Sequence, residues 1–169
     1  MPQPPQKQSD RAAFAAAQWR RERPDLDPFP MEVLGRLAEA SQHISRDRLL
    51  PLFERYGLQG GEFDVLATLR RSGDPCALTP TALYEATMVS SGGMTNRLDR
   101  LEKAGFIERQ RHPTDRRGTL VVLTLRGRVL IDELLPLHIQ NEQTVLSVLT
   151  NDEQQMLNDL LRKLQGISE

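Results

Sequence analysis

Apolar residues recur along most of this chain at helical spacing. From Met31 to about Tyr56, Leu34, Leu37, Ala38, Ile44, Leu49 and Leu52 are available for burial. That pattern predicts a long helix, ended by Gly57 and kinked or broken by Pro51 near its last turn. Glu62 to Arg71 predicts a second helix with Phe63, Leu66, Ala67 and Leu69 inward. Thr79 is a good N-cap, and Pro80 suits a first helical position, so a short helix runs to about Ala86. Thr87 to Val89 then make a tight turn. Ser90 or Ser91 caps the next helix, where Met94, Leu98 and Leu101 fall at i, i+4 and i+7. Gly105 stops it, because glycine takes the left-handed conformation at little cost. Two short helices joined this way form a helix-turn-helix.

The period then changes. Phe106 to Arg111 and Thr119 to Leu123 read as two strands around the turn-rich loop His112-Pro113-Thr114-Asp115-Arg116-Arg117-Gly118. Cys76-Ala77-Leu78 is a candidate short strand beside this hairpin, after the turn Gly73-Asp74-Pro75. Thr124 caps a long helix to about Leu149, bent at Pro136. Thr150 with Glu153 forms a capping box for a last helix carrying Met156, Leu157, Leu160, Leu161 and Leu164. At the other end, residues 1–8 are rich in Pro and Gln and predict a disordered tail. Ser9 opens an alanine-rich helix over residues 9–24 that Pro24 stops, and Asp25 to Pro30 is a linker. The predicted fold is mainly α with a small β-hairpin wing. Residues 57–124 form a winged helix-turn-helix, and 31–56 and 125–166 supply long N- and C-terminal dimerisation helices. The terminal leucines exceed what a small winged domain buries, so a second copy is their expected cover, and a two-fold dimer sets two recognition helices about 34 Å apart.

Charge sharpens this picture. Met94 to Arg128 holds nine Lys/Arg against four Asp/Glu, a net of +5; the remainder holds 13 against 19, a net of −6. The overall charge of −1 hides a basic segment in an acidic chain. Ser91, Thr95, Asn96, Asp99 and Arg100 lie away from the apolar seam of the second short helix and are of the kind that reads base edges in a major groove, with Ser90, Ser91, Thr95, Asn96 and Arg100 the candidate DNA contacts there. Arg116 and Arg117, with Asp115, sit in the hairpin loop, where arginine is drawn to a narrow minor groove. The plainer alternative is a solvated basic face.

Other classes fare less well. His43, His112 and His138 are scattered, with no metal-ligand spacing, nucleophile elbow or phosphate-binding loop, so neither an enzyme nor a metal or other cofactor is expected. A helical adaptor explains the leucines but not Asp115-Arg116-Arg117 on a hairpin. No apolar run approaches the roughly 20 residues of a membrane span and no signal peptide pattern appears, so a cytoplasmic protein is expected. Cys76, the single cysteine, is expected to be a buried structural thiol rather than a peroxide sensor.

The segment Ser90 to Glu102 and the wing motif Asp115-Arg116-Arg117 followed by Leu120 to Thr124 resemble the MarR family of transcription factors. The resemblance covers nearly the whole chain. It implies a homodimer with a winged helix-turn-helix in each lobe, bound to a pseudo-palindromic operator on double-stranded DNA. It also implies a repressor released from DNA by a small phenolic or anionic ligand. Arg117 matches the family's wing-tip arginine, and Asp115 the aspartate that braces it. Trp19-Arg20-Arg21-Glu22-Arg23-Pro24 and Gly61-Glu62-Phe63-Asp64 are similar to the urate-responsive branch. That likeness implies a ligand site of Trp19, Asp64, Arg97 and Arg109, with urate or a related planar anion as effector. The guanidinium forks and indole surface suit such an anion, and Asp64 is expected to hold an arginine when no ligand is bound. Read without the family, Asp64 and the arginines are ordinary structural ion pairs.

Overall fold

Helix termini in this protein follow from local chemistry at their caps. The computed structural model describes residues 10–88, 93–114 and 118–167. These fall into two compact units, which adjoin in sequence at Asp47 and Arg48.

The first unit is a helical pair. Helix α1 (Arg11–Glu22) is capped by Asp10, whose carboxylate accepts the Ala13 N–H at 2.9 Å. The cap expected at Ser9 lies outside the described residues. Helix α2 (Phe29–Ile44) starts two residues earlier than Met31, with Pro30 in its first turn and the Asp27 carboxylate accepting the Phe29 N–H at 3.0 Å. Ala12 and Ala16 are buried, and a Cβ on Gly35 would sit 3.3 Å from Ala12 Cβ, so small residues let the two helices approach closely. Arg36 bridges Asp10 and Glu32, and Arg20 also binds Glu32.

The single helix expected over residues 31–56 is three pieces. After α2, a π-helical turn spans Ser45–Leu49, and α3 (Leu50–Arg55) resumes with Pro51 in its first turn. Proline has no N–H to donate to the carbonyl four residues back and its ring crowds that carbonyl, so a widened turn ahead of it relieves the clash. Gly57, at φ +72°, ends α3, and the Leu58 N–H reaches back to the Phe53 carbonyl at 3.0 Å.

The second unit holds the core. Helix α4 (Glu62–Arg71) is buried on most sides through Phe63, Val65, Leu66, Thr68 and Leu69. Strand β1 (Ala77–Leu78) leads into α5 (Pro80–Ala86), capped by Thr79, whose hydroxyl accepts the Ala82 N–H at 3.1 Å. Helix α6 (Met94–Lys103) buries Leu98 and Leu101 on the expected seam. Its cap is Gly93, at φ +84°, and not Ser90 or Ser91; those two serines lie outside the described residues. Gly105, at φ +74°, stops it, with the Phe106 N–H on the Leu101 carbonyl at 3.0 Å.

Strands β2 (Ile107–Arg111) and β3 (Thr119–Leu123) pair antiparallel, and β1 adds to β3 on the other side, giving the order β1-β3-β2. Beyond the ladder, the His112 N–H donates to the Gly118 carbonyl at 2.9 Å. Thr124 caps α7 (Leu125–Leu146), and Thr150 with Glu153 forms both bonds of the capping box of α8 (Asn151–Leu164). Ile131 and Leu134 of α7 close the core against α4.

Two helices leave their apolar stripes uncovered. Leu34 of α2 is 58% exposed and Leu160 of α8 is 53% exposed, and among the described residues neither helix has a buried side chain. Cys76 is fully buried, as expected, with Arg128 Nη2 3.1 Å from its sulfur.

Candidate nucleic-acid interface and effector residues

The buried Leu98 and Leu101 press one side of α6 into the core and leave Thr95, Asn96, Asp99 and Arg100 on its exposed side. This is the geometry of a reading helix: an apolar seam fixes the backbone, and short polar groups face outward. Thr95, Asn96 and Arg100 are thereby brought to one surface. Ser90, Ser91, Asp115, Arg116 and Arg117, the other expected DNA contacts, lie outside the described residues.

Arg100 is not simply solvated. Its Nε donates at 2.7 Å to Oε1 of Glu62, while about half of its side chain stays at the surface. Glu62 is 2% exposed, and its other oxygen accepts the Gln59 N–H at 2.6 Å. Charge patterning would have assigned Glu62 to a solvated first helical turn; no local signal marks its burial.

The four residues of the expected ligand set fall on different elements. Trp19 is on α1, half exposed. Asp64, on α4, accepts the Met88 N–H at 2.7 Å just beyond α5. The expectation that Asp64 holds an arginine thus meets a backbone N–H as the partner seen. Arg97, on α6, packs on the corner before α4, with Nε 3.4 Å from the Gly60 carbonyl. Gly61, at φ +81°, takes a left-handed conformation that favours glycine, and a side chain there would meet the Arg97 guanidinium.

Arg109, on β2, makes the strongest set of contacts. One guanidinium nitrogen bonds Asp99 at 2.7 Å, another bonds Glu102, and its own N–H donates to Glu102 at 3.0 Å. Asp99 and Glu102 are three apart, on one face of α6. Partial burial disfavours the Arg109 charge, but the hydrogen bonds to Asp99 and Glu102 outweigh it and raise its pKa. The first wing strand is thus clamped to α6 by an arginine that stays protonated throughout the working pH range. From the sequence, Asp99 is only one of the polar groups on the exposed face; the carboxylate spacing and the short connection through Gly105 are the available signals for this clamp.

At the wing root, the Thr124 hydroxyl accepts the Gly127 N–H at 3.0 Å and donates to the Gly105 carbonyl at 2.8 Å. Arg126 stacks over the Phe106 ring at 4.9 Å. Among the described residues, no group of three or more His, Cys, Asp or Glu could hold a metal ion, and no helix is long and apolar enough to cross a membrane.

Comparison with known proteins agrees with this architecture. A family model described as MarR family matches residues 56–118. The chain is 43% identical over 148 residues to the HTH-type transcriptional regulator PecS of Dickeya dadantii, spanning 88% of this chain and 89% of that one. A mutant MarR from E. coli complexed with operator DNA superposes with a TM-score of 0.69 at 28% identity, covering 86% of this chain and 96% of the other. Bordetella bronchiseptica BpsR, whose DNA binding is regulated by 6-hydroxynicotinic acid, gives a TM-score of 0.70 at 28% identity, covering 79% and 92%. The chain belongs to the MarR family, and is a DNA-binding transcription regulator with a winged-helix fold, not an enzyme.

Proposed function

We propose that this regulator is a cytoplasmic homodimeric repressor that leaves its operator when a small planar anion binds, with urate or a similar purine or phenolic compound as effector. The observation that carries the ligand part is the Arg109 clamp. Arg109 holds Asp99 and Glu102, both on α6, whose exposed side carries Thr95, Asn96 and Arg100. An anion that takes the Arg109 guanidinium competes with those two carboxylates, so its binding is felt in α6. That is the differential contact a ligand needs in order to shift a conformational equilibrium. Arg97 offers a second guanidinium from α6, Asp64 fixes the exit of α5, and Trp19 is the aromatic surface that the family likeness supplies. In BpsR a planar aromatic acid regulates DNA binding, which supports the same ligand class here.

DNA contact is assigned to Ser90, Ser91, Thr95, Asn96 and Arg100 in the major groove, and to Arg116 and Arg117, braced by Asp115, in the minor groove. The homodimer is supported by the uncovered leucines of α2 and α8. Repression rather than activation follows the family's usual habit.

The test uses a duplex enriched by the wild-type protein from a randomised library. Fluorescence anisotropy with this duplex is followed during titration with urate, xanthine and salicylate. Urate is expected to release wild-type protein, while Arg97→Ala and Arg109→Ala each raise the urate concentration needed by roughly tenfold or more, the scale of one charge-assisted hydrogen bond, and Trp19→Ala raises it through the lost aromatic surface. Release that is unchanged in all three variants removes the proposed ligand residues. Binding that is insensitive to all three compounds removes the ligand class.

A further inference from the structure

The corner formed by residues 60–64 touches the helix-turn-helix at three points. Asp64 accepts the Met88 N–H at the exit of α5, Arg97 Nε packs on Gly60 and Gly61, and Glu62 binds Arg100. Glu62 stands apart in this group because it is a charge taken almost wholly out of water. A buried carboxylate is costly unless it is paired and its second oxygen is also bonded. Here both conditions hold, through Arg100 Nε at 2.7 Å and the Gln59 N–H at 2.6 Å. The partner it secures is a residue of the exposed face of α6, not one of the core.

Arginine reads a guanine edge through a flat fork that must arrive in one orientation, whereas a phosphate asks only for nearby positive charge. A long side chain held at Nε by a carboxylate that is itself fixed has little choice of orientation left. We propose that Glu62 is a positioning residue for DNA recognition: its buried carboxylate orients the Arg100 guanidinium, and so sets how well the regulator separates its own operator from other DNA. The proposal rests on α6 being the reading helix, and it assigns a role in specificity rather than in overall affinity.

The experiment measures the ratio of affinities for the library-enriched duplex and for an unrelated duplex of equal length, at one salt concentration. It is run on wild type, Glu62→Gln, Arg100→Gln and the double variant, with thermal unfolding of each. Glutamine keeps an acceptor and removes the charge that strengthens the Arg100 bond. The ratio is expected to fall roughly tenfold in Glu62→Gln, the scale of a weakened base contact, with affinity for unrelated DNA kept within about twofold. In the Arg100→Gln background the same change should alter the ratio by less than about twofold, since coupled residues do not add. An unchanged ratio in Glu62→Gln, with or without a lower melting temperature, overturns the proposal. So does an equal fall when Arg100 is already glutamine. Glu62→Asp keeps the charge and shortens its reach, and serves if the glutamine variant does not fold; the same fall is expected, and an unchanged ratio again refutes the role. A wild type that shows no preference for its enriched duplex would remove α6 as the reader and the proposal with it, a result distinct from loss of the Glu62 effect alone.

Discussion

Gly127→Ala tests the seam between the wing and α7. In an exposed helix this substitution adds about 1 kcal/mol of stability, because alanine loses less backbone freedom. Here the added Cβ would fall on the Phe106 carbonyl oxygen and lie 2.8 Å from Leu123 Cδ1. Relief requires α7 to withdraw from the wing root. Three hydrogen bonds depend on that seating: Thr124 Oγ1 to the Gly105 carbonyl at 2.8 Å, Thr124 N to the Phe106 carbonyl at 3.1 Å, and Gly127 N to Thr124 Oγ1 at 3.0 Å. Each contributes about 1 kcal/mol net, and forcing a methyl into a packed site costs about 1–3 kcal/mol more. Against the propensity gain, the net loss is about 3–5 kcal/mol. With a slope of about 1–3 kcal/mol/M in urea, the midpoint should drop by more than about 1 M. Gly60→Ala is the control, since its Cβ would meet only Leu50 Cδ2 at 3.4 Å; its midpoint should stay near that of wild type. A Gly127→Ala midpoint at or above wild type would refute the reasoning, because it would mean that α7 does not rest on the Phe106 carbonyl.

Two further outcomes are expected. Leu160→Glu places a carboxylate in the uncovered stripe of α8; in sedimentation, wild type should run as a dimer at micromolar concentration and the variant as a monomer. A charge in a desolvated contact costs several kcal/mol, which weakens association by roughly a hundredfold or more, and a monomeric wild type would contradict the dimer. Glu153→Gln probes the α8 capping box. The Thr150 backbone N–H, then its hydroxyl, hold the Glu153 carboxyl below its ordinary value. A depressed carboxylate adds stability above the unfolded-state value of about 4.3, and that contribution is lost as pH falls through the lower folded-state value. The urea midpoints of wild type and Glu153→Gln should therefore differ at pH 7 and converge in acid; a gap that persists at pH 2.5 would count against the box.

The parts of this fold legible in the sequence are those whose chemistry is local. Thr79 with Pro80, Gly105, Thr124, and Thr150 with Glu153 each satisfy or end a backbone pattern within a few residues, and each sits where the sequence puts it. Gly93 was not legible as a cap, because serines precede it and a side-chain cap competes with a left-handed glycine on equal terms. The π-helical turn ahead of Pro51 was foreseen as a break but not as a widening, since the choice between the two depends on neighbouring packing. Asp64, Arg97, Arg109 and Arg100 were found as candidates, but not the groups that hold them. An ion pair is a tertiary choice: Glu62 and Glu102 reach their arginines across 38 and 7 residues, respectively, and no periodicity encodes which carboxylate an arginine selects.

Those partners matter for how a ligand could act. The clamp on Arg109 places two carboxylates, Asp99 and Glu102, on one face of α6, neutralised by one cation from β2. When an anion takes that cation, the helix is left with two like charges one turn apart, a destabilising arrangement. The cost falls on α6 itself, so it need not travel through the core to reach the DNA-reading face. Arg100 is held separately, by Glu62 of α4. Helix α6 is thus pinned by three ion pairs, one to Glu62 of α4 and two to Arg109 of the wing, and an effector acting on the wing pairs would leave the α4 pair in place. If an effector acts as proposed, release from DNA is expected as a reorientation of α6 and the wing about the Glu62 anchor rather than local unfolding. Near-ultraviolet circular dichroism should therefore change on urate binding while helical content, read in the far ultraviolet, stays constant, and a loss of helical signal would contradict the anchor.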